Sequence, residues 1–344
     1  MPRLPDPRRP VGRPHRPLMV MVTLMLVLAV VSAAGLALDH RVLLGAPVWM
    51  KPLKFAVSFA VYGLTLAWML SLPHRGHRWT SRIATVFAVT SVIDVGIIAL
   101  QAARGTLSHF NLADDPREQF IQAVFALGVP GIMLANLLLA LILAFQRIGD
   151  RATGRAIRTG IWLAVTGMAL GYLMPLQHKT QVAHTVDGRP VPMMGGHSVG
   201  VPDGGPGLPV VGWSTTGGDL RIAHFVGLHG LQVTLILALV LTVLAARVPV
   251  LRDERTRAAL VGVAAAGHAG LLALLTWQAL RGQPLLRPDG LTLAALVLLV
   301  AATAWGVRTV VAAGRRRAAG PPAHGGPTPG ALSRPSRPMV LGRR

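Results

Sequence analysis

Twelve histidines and no cysteine make imidazole the main metal-binding chemistry open to this chain of 344 residues. Neutral imidazole is the commonest protein ligand for transition metals and needs no thiolate beside it. Without cysteine, disulfides, thiolate zinc sites, iron–sulfur clusters and a cysteine nucleophile are excluded. The candidate ligands for haem or a transition metal are His109, His224 and His229. His224 and His229 are five residues apart, about 140° around a helix, so they point different ways. His229 and Gln232, at i and i+3, share a face. Lys51, Lys54, Gln101, Arg104, Asn111, His184, His197, Gln232 and Gln278 supply a polar cluster at the same expected side of the molecule. The stretch Met193-Met194-Gly195-Gly196-His197 adds soft donors of the kind Cu(I) accepts. Each histidine also has a plain alternative, a core residue hydrogen-bonded to its neighbours.

A second set of polar residues lies inside apolar segments, where an ionisable group costs about 2.5–3.5 kcal/mol or more at the centre of a span. These are Asp94, Asn136 and His268. Asp94 and Asn136 facing one another would suit a proton or cation path.

The elements that must position these residues are membrane helices. Hydrophobic residues make up 52% of the chain and charged residues 14%, against about 25% charged in ordinary globular proteins. A span needs about 20 mostly apolar residues. Eight segments qualify, near 18–38, 53–72, 83–103, 122–145, 159–175, 223–246, 259–280 and 291–312. The fold expected is an all-α integral membrane bundle of eight transmembrane helices filling 18–312. Basic tails at 1–17 and 313–344, rich in Pro, Gly and Arg, read as disordered. The long connection 176–222 is turn-rich and almost uncharged, suited to lie as a lid over one mouth of the bundle. The first segment, some twenty apolar residues, exceeds the about 7–15 of a cleavable signal and reads as a retained helix.

The net charge of +21 comes from 34 Lys and Arg against 13 Asp and Glu. It is not a nucleic-acid footprint, because the basic residues fall in short clusters between apolar runs and aromatics are only 5%. Neither a dinucleotide nor a phosphate-loop glycine motif occurs in the required context. With both termini cytoplasmic, 24 of the 34 basic residues fall inside, as the positive-inside rule requires. All seven tryptophans then lie near an interface. The expected setting is a plasma membrane with the lipid bilayer as partner, and the histidines gather on the outer side.

The chain also repeats itself. Gln101-Ala102-Ala103-Arg104-Gly105 ends the third segment and Gln278-Ala279-Leu280-Arg281-Gly282 the seventh, while Ser81-Arg82 and Thr256-Arg257 open them. Lys51-x-x-Lys54-Phe55 opens the second segment and Arg221-x-x-His224-Phe225 the sixth. Four segments separate each pair, which fits a 4+4 parallel internal repeat; the alternative is coincidence in an Ala-, Leu-, Gly- and Arg-rich alphabet. Three function classes are left. A haem- or metal-binding redox-type protein fits the outward histidines, a small-molecule or ion transporter fits the repeat and Asp94, and a scaffold or sensor needs none of these side chains.

Overall fold

The computed structural model describes residues 14–177, 180–186 and 189–319. The tail expectations for 1–13 and 320–344 lie outside the described residues. Among those described, the chain is a bundle of nine α-helices: α1 (Arg16–Leu38), α2 (Met50–Ser71), α3 (His77–Arg104), α4 (Pro116–Ala144), α5 (Arg151–Gly171), α6 (Leu220–Leu228), α7 (Gly230–Leu244), α8 (Glu254–Leu280) and α9 (Gly290–Ala319). Seven of them are long and apolar enough to cross a membrane, and α6 with α7 makes an eighth span bent by 43°. This is the architecture of a multi-pass membrane protein. Its outward faces carry Val, Leu and Trp side chains, which lipid can solvate and water cannot. The limits differ from expectation in several places: α1 begins at Arg16 and α9 runs to Ala319, both within segments read as disordered, α3, α4, α5 and α8 begin earlier than their apolar stretches, and the sixth span is broken at His229. Pro130 sits inside α4 without ending it.

Packing in the first four helices recurs in the last five. α1 lies against α2 and α3, α2 against α3, and α3 against α4; likewise α5 lies against α6, α7 and α8, both α6 and α7 against α8, and α8 against α9. The halves meet where α4 packs on α5, and Gln232 Nε2 of α7 donates to Thr65 Oγ1 of α2 at 3.4 Å.

The duplicated sequence motifs make duplicated contacts. His15, the N-cap of α1, accepts from the Leu18 amide and reaches the start of α3 through Nε2 to the Ser81 carbonyl, at 3.0 Å. Asp150, the N-cap of α5, accepts from the Thr153 amide at 2.7 Å and meets Arg257 at the start of α8 at 3.2 Å. At the far end, Gly105 and Gly282 close α3 and α8 with φ of 71° and 72°, a left-handed cap that glycine adopts without the Cβ penalty. Gln101 Nε2 then donates to the Leu107 carbonyl and Gln278 Nε2 to that of Pro284, each six residues on, both at 2.9 Å. Arg104 pairs with Glu118 of α4 at 2.7 Å, and Arg281 pairs with Asp289 just before α9.

The lid spans the connection between α5 and α6. It holds the antiparallel hairpin of β1 (Thr180–Val186) and β2 (Arg189–Met194), and the short pair β3 (Ser198–Val199) with β4 (Gly218–Asp219). A bridge from Met193 to Asn111 ties it to the connection after α3. Asp203 and Asp219 organise its turns. Asp203 accepts from the amides of His197 and Ser198, and Asp219 from those of Ser214 and Arg221.

Candidate functional site

Beneath the lid, four side chains from both halves come together. Lys51 begins α2, His109 follows α3, His197 belongs to the lid and His224 lies on α6. Protein surrounds each of them, yet each keeps part of its surface accessible. These side chains are deep but not sealed, and the opening that leaves them partly accessible is called the cleft below. Aromatic rings wall it: His109 stands 4.5 Å from Phe125, centroid to centroid, and 6.1 Å from Phe55, while Phe110 bridges to His197 at 5.6 Å.

In all three histidines a partner engages Nδ1. His224 Nδ1 meets the Gly167 carbonyl of α5 at 2.7 Å, and His197 Nδ1 the Asp203 carboxylate at 3.0 Å. Carbonyls and carboxylates only accept, so both imidazoles carry their proton on Nδ1 and turn the Nε2 lone pair elsewhere. His109 is the reverse. Its Nδ1 lies 3.1 Å from Lys51 Nζ and 3.0 Å from Ser108 Oγ; when Lys51 is charged it can only donate, which puts the proton of His109 on Nε2. Among the described residues no protein group hydrogen-bonds Nε2 of these three. The cleft therefore has two imidazole lone pairs and one imidazole N–H to offer a ligand.

Burial lowers the pKa of His109 well below that of a free imidazole, with the Lys51 charge acting the same way. Burial also lowers that of His197, against an opposing hydrogen bond to Asp203. Asp203 is held well below the usual carboxylate range, its burial outweighed by hydrogen bonds from His197 and the Ser198 amide. Two imidazoles whose folded pKa lies below the unfolded value of about 6.5 bind fewer protons folded than unfolded. Their contribution to stability is therefore complete above that value and is lost as the pH falls through it. Protection factors of the amides in 193–219 are expected to fall between pH 7.5 and 5; unchanged protection would contradict the neutral assignment.

The other sequence candidates divide by role. Gln101, Arg104 and Asn111 converge on Glu118, with Gln101 at 2.6 Å, Asn111 at 2.8 Å and Arg104 at 2.7 Å; this network fixes the end of α3 rather than lining the cleft. Gln278 does the same for α8. His229 sits at the break between α6 and α7, packed on Phe225 at 4.4 Å; it adjoins His224 but not His109. His268 Nε2 donates to the Val226 carbonyl at 3.0 Å, tying α8 to α6 as a core histidine would. His184 pairs with Val191 along the hairpin backbone, and its side chain lies outside the described residues, as does His178. The soft-donor stretch does not make one site. Met193 is buried and Met194 exposed, because neighbours on a strand face opposite ways.

Asp94 and Asn136 do not meet as expected. Asn136 accepts from Tyr62 Oη at 2.7 Å and donates to the Ile132 carbonyl at 3.1 Å. Asp94, 3% exposed, has no hydrogen-bond partner for either oxygen among the described residues. It lies against the bare backbone of Gly128 on α4, where any side chain would collide with it. Sequence reasoning did not place His197 among the ligands, since its partner Asp203 is six residues away across a turn and no helical periodicity links them. No protein family, curated protein or solved structure matches the chain.

Proposed function

We propose that this chain is a plasma-membrane protein of redox type that binds haem or a transition metal in the cleft, with the lid outside and both termini in the cytoplasm. The orientation rests on the arginine asymmetry across the bundle. The ligand class rests on one observation: Nδ1 of His197 is held by a carboxylate and Nδ1 of His224 by a backbone carbonyl, the outer-shell partners that orient metal-ligating imidazoles and raise their basicity. No group of three His, Asp or Glu among the described residues could hold a metal ion. The imidazoles of His197 and His224 would be the residues to hold such a group, and haem iron can be held by two protein ligands. When bound, such a group supplies one-electron chemistry.

The chain's own side chains do the rest. Asp203 and Gly167 fix the two tautomers, the His109 N–H is available to a ligand oxygen, and the lid with Phe110 and Phe125 keeps bulk water from the cleft. Detergent-purified protein is expected to show a Soret band or a stoichiometric transition metal; colourless, metal-free protein that takes up neither would overturn the reading. Lipid is the surrounding partner, and nothing in the chain's charge pattern recommends nucleic acid.

A transporter is the second reading, favoured by the bent span at His229 and the unpartnered Asp94, since broken helices and buried acids accompany substrate and proton paths. Under it, Asp94→Asn abolishes a pH-dependent flux in proteoliposomes. Unaltered flux in that variant removes Asp94 from the mechanism.

A further inference from the structure

The first turns of α2 and α6 occupy matched places in the two halves, and they carry Lys51-x-x-Lys54-Phe55 and Arg221-x-x-His224-Phe225. They meet at one point of the lid. Lys54 Nζ donates to the Val211 carbonyl at 2.9 Å, and Arg221 Nη2 to the adjacent Gly212 carbonyl at 2.6 Å. The first turns of α2 and α6 are thus brought to neighbouring points of the lid, although the residues that grip it, Lys54 and Arg221, are not a matched pair. The chemistry of the two turns is not matched. Where the second half presents the imidazole of His224, the first presents the ammonium of Lys54.

Charge balance differs in the same sense. Arg221 is paired with Asp219 at 2.6 Å, and His197 with Asp203 at 3.0 Å. Those two carboxylates are then occupied by these partners and by backbone amides. Lys51 has His109 as its hydrogen-bond partner and Lys54 has a carbonyl; among the described residues neither forms a salt bridge. Around the cleft three basic side chains, Lys51, Lys54 and Arg221, stand against two carboxylates, Asp203 and Asp219, and an excess of positive charge beside aromatic rings is costly unless an anion joins it or a lysine gives up its proton.

We infer that the ligand of the cleft carries an anionic group, a carboxylate or phosphate, that docks on Lys51 and Lys54, while its other end faces the lone pairs of His197 and His224. This rests on the cleft being the binding site proposed above, and it divides the work: the first half holds the anion and the second the metal centre. The full chain in detergent would be titrated with ferric protoporphyrin IX, with iron-free protoporphyrin IX and with the dimethyl ester of the ferric form. Both free acids are expected to bind, the iron-free one reported by fluorescence, and the ester to bind more weakly by about 10–100-fold, the worth of one or two charged hydrogen bonds. Lys51→Gln with Lys54→Gln should weaken the free acids by a similar factor and leave the ester unchanged, while Lys54→Arg keeps the binding and shows that the fold tolerates a change there. Equal binding of acid and ester, or no binding of either acid, overturns the inference. Lysine-dependent binding of both acids without a bis-imidazole spectrum for the ferric form would uphold the anion site and refute the metal reading instead.

Discussion

His224→Ala is expected to abolish the bis-imidazole absorption of the purified protein, or its bound metal, while leaving the helical bundle assembled. The side chain is only partly buried, and its one protein hydrogen bond is to the Gly167 carbonyl, so its removal opens space in a cleft that already has accessible surface. The structural cost is about 1 kcal/mol, that of one ordinary hydrogen bond. The ligand loses one of two protein donors, a loss of the order that removal of a first ligand causes in metal sites generally and larger than the 10–100-fold typical of outer-shell partners. Asp203→Asn tests the outer shell beside it: the neutral amide is a weaker acceptor for His197 Nδ1–H, and affinity should fall by about 10–100-fold without vanishing. His229→Ala serves as the contrast, because His229 stands at the helix break and packs on Phe225. If His229→Ala removes the spectrum and His224→Ala does not, the assignment of ligands is wrong.

Gly167→Ala should cost about 1–3 kcal/mol and remove the ligand as well. Helix propensity alone predicts the opposite sign, since Ala is favoured over Gly by about 1 kcal/mol within a helix. The deciding fact is what a Cβ would meet. At Gly167 it would collide with the Leu228 amide nitrogen and the Gly227 backbone of α6, and a Cβ at Gly227 would collide with Gly167 in turn. Backbone atoms cannot rotate out of the way, so α5 and α6 must separate. Separation moves the Gly167 carbonyl from His224, and with it the proton that keeps Nε2 unprotonated. Gly96→Ala is the control, a helical glycine with open space around it, where the propensity gain should appear as equal or greater stability. Thermal unfolding in detergent distinguishes the two. A Gly167→Ala protein as stable as the parent would show that the α5–α6 contact is looser than described.

The bundle was legible because lipid imposes a simple rule: about 20 apolar residues in a row form a span, and eight such stretches appear as seven helices and a bent pair. The repeat was legible from Gln101 and Gln278 because their local partners follow at the same distance along the chain. The break at His229 was not, since the segment 223–246 holds no proline and no charged residue to mark one. Gly227 and Gly230, which flank Leu228 and His229, lie against α5, and a bend that accompanies tertiary contact leaves no periodic trace. The cleft was half legible. His109 and His224 could be chosen by side of the membrane, but membership of His197 depends on how the lid folds, and the dismissal of the Asp94–Asn136 pair on Tyr62 claiming Asn136. Helical faces can be read from spacing; the partner each face meets cannot.

The neighbouring carbonyls of Val211 and Gly212 are each gripped by a cation from a different half of the bundle. A lid fastened in this way works as a tie rod. Any movement of the first turn of α2 relative to that of α6 must stretch one of the two grips or drag the lid along with it.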